Sequence, residues 1–328
     1  MTQLKLGFIF ARDSSAPNWR LDLSGVFPNG TGFFVSRGIE APPVIKTKGE
    51  AVSGDWAGYG RFDLSADRRH LDLTINDPEH GIVGNVHMVN AGTPPHVGCS
   101  ADIFKPPYFT ELAHGRNLSK SETLLYERTG WAVAAPRTVA NIDLNVNGSK
   151  LVLKNAVGYH DHNWMPTTVD KFVYTWVLGI GSCGPFDLTY VEVQALGSSR
   201  NDDILTASLA YKGKYIQETC LLYKASRQRS TVEIEFTGQT VDPVTGDKIP
   251  TGAVVDFVLA NGTRYHFELE NNVLLPSRTV YKRWRMGGSG GMVGGKQHEC
   301  LVIGDWLNPG RAPYTEGTNI FDKSANDI

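Results

Sequence analysis

The 328 residues predict an all-β chain built as two antiparallel units, each a sandwich or a barrel. Three observations carry that prediction. Glycine and proline, 35 and 17 residues, make up about 16% of the chain against roughly 12% on average, which demands many turns and few long helices. Apolar and polar side chains alternate with period two along most of the sequence, and no helical period is sustained. Asn-Gly dipeptides, the strongest short-range hairpin signal, stand between alternating segments.

Taken in order, Leu71, Leu73 and Ile75 alternate with Asp72, Thr74 and Asn76 as a half-buried strand does. Val89 to Cys99, with Pro94-Pro95-His96, reads as a strand ending in a rigid loop, and Phe109 to His114 as a turn or two of helix. A hairpin from Asn141 to Asn155 around Asn147-Gly148 places Leu144 opposite Leu151 and Ile142 opposite Leu153 on one face. The Trp164 to Asp170 stretch, with Pro166, is the expected joint, giving units 1–168 and 169–328. Val232, Ile234 and Phe236 alternate with Glu233, Glu235 and Thr237. A second hairpin, Ala253 to Glu270 around Asn261-Gly262, pairs Val258 with Tyr265, Asp256 with Phe267 and Val254 with Leu269. That register turns Asp256 onto an apolar face. Either the face is partly wet and the carboxyl bonded to a neighbour, or Asp256 is a polar group inside a ligand cavity with a raised pKa. Gly287 to Gly295 reads as a flexible hairpin loop over a cavity; its formal GxSxG and P-loop matches lack the helix those motifs require. The tail from Glu316 to Ile328 shows no helical period.

Composition narrows the function classes. Lys and Arg number 32 against 34 Asp and Glu, a net charge of −2, so no nucleic-acid partner is expected. No apolar run approaches the roughly 18 residues of a membrane span, and Leu4 to Ala11 is short for a secretory leader. Cys99, Cys183, Cys220 and Cys300 stand far apart without a CxxC, which predicts buried free thiols rather than zinc or a disulfide framework. Sequons occur at Asn29, Asn117, Asn147 and Asn261, three of them Asn-Gly dipeptides that turns demand anyway. A soluble cytoplasmic protein is the expectation, with a secretory route the alternative.

The densest chemistry lies in Gly158-Tyr159-His160-Asp161-His162-Asn163-Trp164. As a strand it projects His160, His162 and Trp164 to one side and Tyr159, Asp161 and Asn163 to the other. Two histidines at i, i+2 could share a metal with a third ligand such as His298 or Asp305, but no metal is expected. The competing readings are a hydrogen-bonded polar brace and a proton-donating set facing a pocket. Aromatic residues (Trp56, Tyr174, Trp176 and Trp306 among them) exceed what simple packing requires and suit an apolar small-molecule site.

Gly158 to Trp164, with Pro94-Pro95-His96 and Tyr174-Thr175-Trp176, resembles the carotenoid hydratase-like tandem lipocalin family, which includes hydroxyneurosporene synthases and fungal Diels–Alderases. The resemblance implies two lipocalin-like β domains side by side, a hydrophobic small-molecule substrate held near their interface, and no metal or organic cofactor. It assigns proton transfer to Tyr159 and Asp161 in the hydratase branch. Trp19-Arg20-Leu21-Asp22 departs from the acidic, aromatic-rich first strand of the decalin-forming members. A cofactor-free [4+2] cyclase is the function so implied, with a hydratase or isomerase and a carrier as alternatives. A cycloaddition needs no nucleophile, only a fixed reactive conformer and hydrogen bonds to the dienophile carbonyl. His160, Asn163 or a protonated Asp256 are expected as those donors. Asp161 with His160 and His162 could expel water in a hetero-Diels–Alder variant. Trp56, Trp164, Tyr174, Trp176, His298 and Trp306 are the expected binding residues.

Overall fold

Nearly every alternating segment is an antiparallel strand in a computed structural model that describes residues 3–10, 19–95, 117–197, 203–222, 231–274, 280–314 and 316. One sheet holds β1 (Gln3–Phe10), β2 (Trp19–Val26) and β3 (Gly32–Ile39). A second is a seven-stranded meander of β4 (Val44–Lys48), β5 (Ala51–Trp56), β6 (Gly60–Leu64), β7 (His70–Asp77), β8 (Ile82–Asn90), β9 (Gly130–Val146) and β10 (Ser149–Trp164). Between β8 and β9 lies α1 (Lys120–Arg128), the one α-helix among the described residues. The third sheet has nine strands: β11 (Val173–Cys183), β12 (Phe186–Ala195), β13 (Ile204–Tyr211), β14 (Lys214–Leu222), β15 (Thr231–Thr237), β18 (Gly252–Val258), β19 (Arg264–Leu274), β20 (Tyr281–Met292) and β21 (His298–Leu307). A small hairpin, β16 (Thr240–Val241) with β17 (Lys248–Ile249), follows β15.

The chain forms two compact units, Met1–Gly92 with Arg137–Gly158, and Thr93–Pro136 with Tyr159–Ile328. Residues 164–170 fall inside the second unit. In the first, Leu71, Leu73 and Ile75 are buried as their alternation predicts, in one core with Leu23, Phe33 and Leu144. Trp56 is buried beside Leu21 and Ile39. In the second unit, β11, β12, β13, β15 and β18 to β21 send alternate side chains into a single core, with Ile216 of β14 packed against it, so the nine-stranded sheet curls about its own interior. The opposite face of β11 and β12 carries a second core that includes Leu125 and Tyr126 of α1. Ser119 starts that helix: its hydroxyl accepts from the Glu122 N–H while the Glu122 carboxylate accepts from the Ser119 N–H.

The two hairpins read from Asn-Gly differ, and the difference corrects a register. Asn147 and Gly148 have φ of 51° and 79°, a two-residue turn, and Ile142, Leu144 and Leu151 share one core with Leu153 packed against it. At Asn261-Gly262 the loop is one residue longer. The N–H of Leu259 bonds the Thr263 carbonyl and that of Gly262 bonds the Leu259 carbonyl, with only Gly262 left-handed at φ 84°. Asp256 therefore pairs with His266 rather than Phe267, and Phe257 with Tyr265. A one-residue slip exchanges the faces, so Phe257 and Phe267 enter the core while Asp256 meets Arg264 and His266.

Two further expectations are corrected. Gly287 to Met292 continue β20 rather than forming a loop, and only residues 293–295 turn; a Cβ at Gly290 would lie 2.2 Å from the Phe267 ring, so close packing selects glycine there. Among the described residues no cysteine is free. Cys183 and Cys300 are direct partners across β11 and β21 and form a disulfide, a pairing hidden by 117 residues of separation. Cys220 is disulfide-bonded as well. His96 and the Phe109 to His114 segment lie outside the described residues. No helix among those described is long and apolar enough to cross a membrane.

Candidate functional site

The C-terminal end of β10 lays Tyr159 against the second core of its unit, beside the ends of β20 and β21. Alternation on β20 sends Trp284 and Met286 into the curled interior and leaves Arg283 on the other face, directly across from Asp305 of β21. Arg283 grips Asp305 with both arms of its fork: Nε donates to Oδ1 and Nη2 to Oδ2, each at 2.5 Å. The Tyr281 hydroxyl donates to the same carboxylate at 2.7 Å, and Arg283 Nη2 also donates to the Tyr159 hydroxyl oxygen at 3.0 Å. One residue pair further on, Trp131 Nε1 donates to Asp161 Oδ2 at 3.1 Å.

The electrostatics follow from this burial. Burial is the main cause that pushes the Tyr159 phenol well above its usual pKa; the Arg283 cation works against it, and Asp161 and Asp305 add to it. Tyr281 is raised in the same way. Both phenols therefore keep their protons at neutral pH. Burial opposes the charge on Arg283, but Asp305 and the two phenols outweigh it and hold the guanidinium charged. His160, half-buried, and His162, exposed at its surface but crowded by protein around it, both have pKa values lowered first by desolvation with Asp161 opposing, so both imidazoles are neutral at pH 7. Because Tyr159 accepts from a cation, its own O–H is polarised, and among the described residues that proton has no acceptor. Such a group can hydrogen-bond an oxygen on which negative charge grows.

The remaining expected residues divide. Trp164 packs edge-on with His162 at 5.6 Å and lies over Gly130, while Asn163 is exposed. Trp176 joins the same core as Tyr159. Tyr174 sits at a bulge in β11, buried, and its hydroxyl has no partner among the described residues. Trp306 points into the curled interior, donating to Thr175 Oγ1 at 2.9 Å. Trp56 belongs to the core of the first unit. His298 packs on Phe186, about 23 Å along β21 from Asp305 at roughly 3.3 Å per residue. Asp256 is on the outer face of β18, where burial tends to raise its pKa but Arg264 and His266 outweigh that and hold it below the usual range. The raised value expected for it is thus corrected, for the reason of register given above.

Asp305, considered as a third metal ligand, is fully engaged by Arg283 and Tyr281. Among the described residues the one trio able to share an ion is Asp77, Glu79 and His80 of the first unit. The Arg37 guanidinium already lies on it, 2.7 Å from Glu79 and 3.1 Å from His80. Arg283 and its engagement of Asp305 escaped the sequence reading. The available signal was a charge placed by alternation on the buried side of each strand, in Tyr281-Lys282-Arg283-Trp284 and Ile303-Gly304-Asp305-Trp306.

The sequence model of the Diels-Alderase-like family matches residues 3–300. The quinolone epoxide rearrangement protein penF of Penicillium thymicola is 27% identical over 287 residues, 87% of this chain and 73% of penF. Its counterpart asqO of Emericella nidulans is 23% identical, over 87% of this chain and 71% of asqO. Among solved structures, CghA in complex with Sch210972 superposes with a TM-score of 0.73 at 15% identity, covering 94% of this chain and 84% of CghA. A Nitrosomonas europaea protein described as AttH (NE1406) gives 0.60 at 11%, over 92% of this chain and 86% of its own. These likenesses place the fold among lipocalin-like barrels.

Proposed function

The chain belongs to the Diels-Alderase-like family, and from that premise we propose that it is a pericyclase-type enzyme closing a ring in an apolar metabolite by a [4+2] cycloaddition, Diels–Alder or hetero-Diels–Alder. The observation that carries the reading is Tyr159, protonated, polarised by Arg283 and with its own proton unspent. Asp305 and Tyr281 fix the Arg283 fork. A dienophile carbonyl gains negative charge as the new bonds form, and a preorganised donor at that oxygen lowers the barrier without a proton changing hands. Holding the chain of the substrate in its reactive fold supplies the rest, a contribution that can reach several kcal/mol. Trp176, in the same core as Tyr159, offers apolar surface for it. In a hetero-Diels–Alder variant water leaves the precursor first. The neutral His160 and His162 beside Asp161 suit that proton transfer.

The likeness to penF and asqO favours a second reading, in which the same donor meets an epoxide oxygen and the ring opens into a rearranged product. Both readings use one device, a hydrogen bond to an oxygen that becomes anionic. The experiment that tests them is chiral chromatography of metabolites from the native producer before and after deletion of the gene. The [4+2] reading expects one cyclised product to vanish or collapse into stereoisomers with uncyclised polyene. An accumulated epoxide moves the assignment to rearrangement. An unchanged profile overturns both and leaves a carrier.

A further inference from the structure

We propose that this protein folds in an oxidising secretory compartment and is N-glycosylated there at Asn29 and Asn261. Two independent observations converge on this. The first is the state of the thiols: Cys183 and Cys300 are joined, Cys220 is disulfide-bonded, and among the described residues no cysteine is free. Disulfides of this structural kind, one of them inside a hydrophobic core, are rare where thiol reductants prevail and ordinary in secreted proteins. Each forms when two thiols surrender two protons and two electrons to a disulfide-bearing oxidoreductase, the oxidant such a compartment supplies.

The second observation is the presentation of the sequons. Asn29-Gly30-Thr31 and Asn261-Gly262-Thr263 form hairpin turns of identical pattern, with Phe27 N–H on the Thr31 carbonyl in one and Leu259 N–H on the Thr263 carbonyl in the other. Both asparagines are exposed. In each, Oδ1 accepts from the threonine N–H at 3.0 Å, which turns Nδ2 outward; among the described residues neither Nδ2 has a partner. Nothing lies within 4 Å of a Cβ built on Gly30 or Gly262, so the space beside both turns is open to a glycan. Asn147 differs: its Oδ1 lies 2.1 Å from where a Gly81 Cβ would sit, and its N–H is bonded to the Gly81 carbonyl. Asn117, also exposed, stands two residues before the helix cap at Ser119 and next to Leu118, which packs on the core, so its sequon is drawn into the start of α1 rather than presented on a free turn. The modification forms a bond between Nδ2 and the anomeric carbon of an oligosaccharide carried on a polyprenyl pyrophosphate. The sugar–phosphate bond breaks, the pyrophosphate leaves, and the amide releases one proton.

The test takes the full chain from its native producer. Treatment with a peptide:N-glycosidase should lower its apparent mass on a denaturing gel and convert Asn29 and Asn261 to aspartate in the released peptides. Alkylation of the denatured, unreduced protein should label no thiol. Asn29→Gln and Asn261→Gln should each lower the apparent mass by one step, and the double variant by two, matching the enzyme-treated chain. A chain that does not shift overturns the modification, and glycans confined to Asn117 or Asn147 overturn the assignment of sites. Four alkylated cysteines overturn the compartment.

Discussion

Two clusters in the second unit are each built on an Arg–Asp pair and behave differently. On the buried face, Arg283 grips Asp305, and Tyr281 and Tyr159 complete the set; on the outer face, Arg264 grips Asp256, and His266 and Glu268 complete it. Side-chain exposure separates them: 10% and 8% for Arg283 and Asp305, against 50% for Arg264 and 8% for Asp256. A pair removed from water must satisfy itself completely, so each partner of the buried cluster constrains the others. A pair with one member in solvent is screened, and its members can be lost one at a time. Geometry that can orient a substrate needs the first arrangement. The second serves the surface.

The comparison breaks most visibly at Arg283. Arg283→Ala leaves Asp305 buried and charged and is expected to lower stability by about 3–5 kcal/mol in urea unfolding, whereas Arg283→Met with Asp305→Leu recovers most of that loss. Next in size, Tyr159→Phe should cut turnover roughly 10- to 100-fold, about 1.4–2.8 kcal/mol, with little change in the unfolding midpoint. An equal loss of stability and rate would make Tyr159 a packing residue. Asp256→Asn on the outer face should cost no more than about 1 kcal/mol, less at high salt, and leave turnover unchanged.

The smallest effect is in pH. His266 has a raised pKa: burial pulls it down, but hydrogen bonds to Asp256 and Glu268 outweigh that. Its contribution is complete below the unfolded value of 6.5 and disappears as pH rises through the folded value. Asp256, lowered from 3.8, contributes above that value and loses its contribution as pH falls through the folded one. The outer cluster is therefore most stabilising between about pH 4 and 6.5. His160 and His162 run the other way, lowered from 6.5, supporting the fold above it and failing as acid protonates them. Thermal melts of His266→Gln and His162→Ala across pH 5 to 8 should show these opposite trends.

Much of the fold was legible because alternation is local: Leu71, Leu73 and Ile75, or Val232, Ile234 and Phe236, announce their faces without help from distant residues. The helix α1 was legible too, in Ser119-x-x-Glu122, and was missed because its residues carry little apolar periodicity. Asn-Gly marked every hairpin it flanks, yet could not say whether the asparagine opens the loop, as at Asn147, or stands second in it, as at Asn29 and Asn261. That one-residue ambiguity misplaced Asp256. Of the candidate site, Tyr159 and Asp161 were visible in a dense local run. Arg283 lies 124 residues from Tyr159, and such a partnership exists only once the sheet is built.

Val177 and Leu178 are neighbours in sequence but belong to different cores, one inside the curl of the sheet and the other on the side of Tyr159. The strands β11 and β12 are thus a partition one residue thick, buried on both sides. Enlarging or shrinking a side chain on either surface strains the other, since close-packed interiors pass displacement on. The end of β10 is half exposed and bears no such burden. Tolerance to change is therefore channelled: at the exposed His162 and Asn163 single substitutions meet little resistance, while along Trp176 to Ile180 they require compensating pairs.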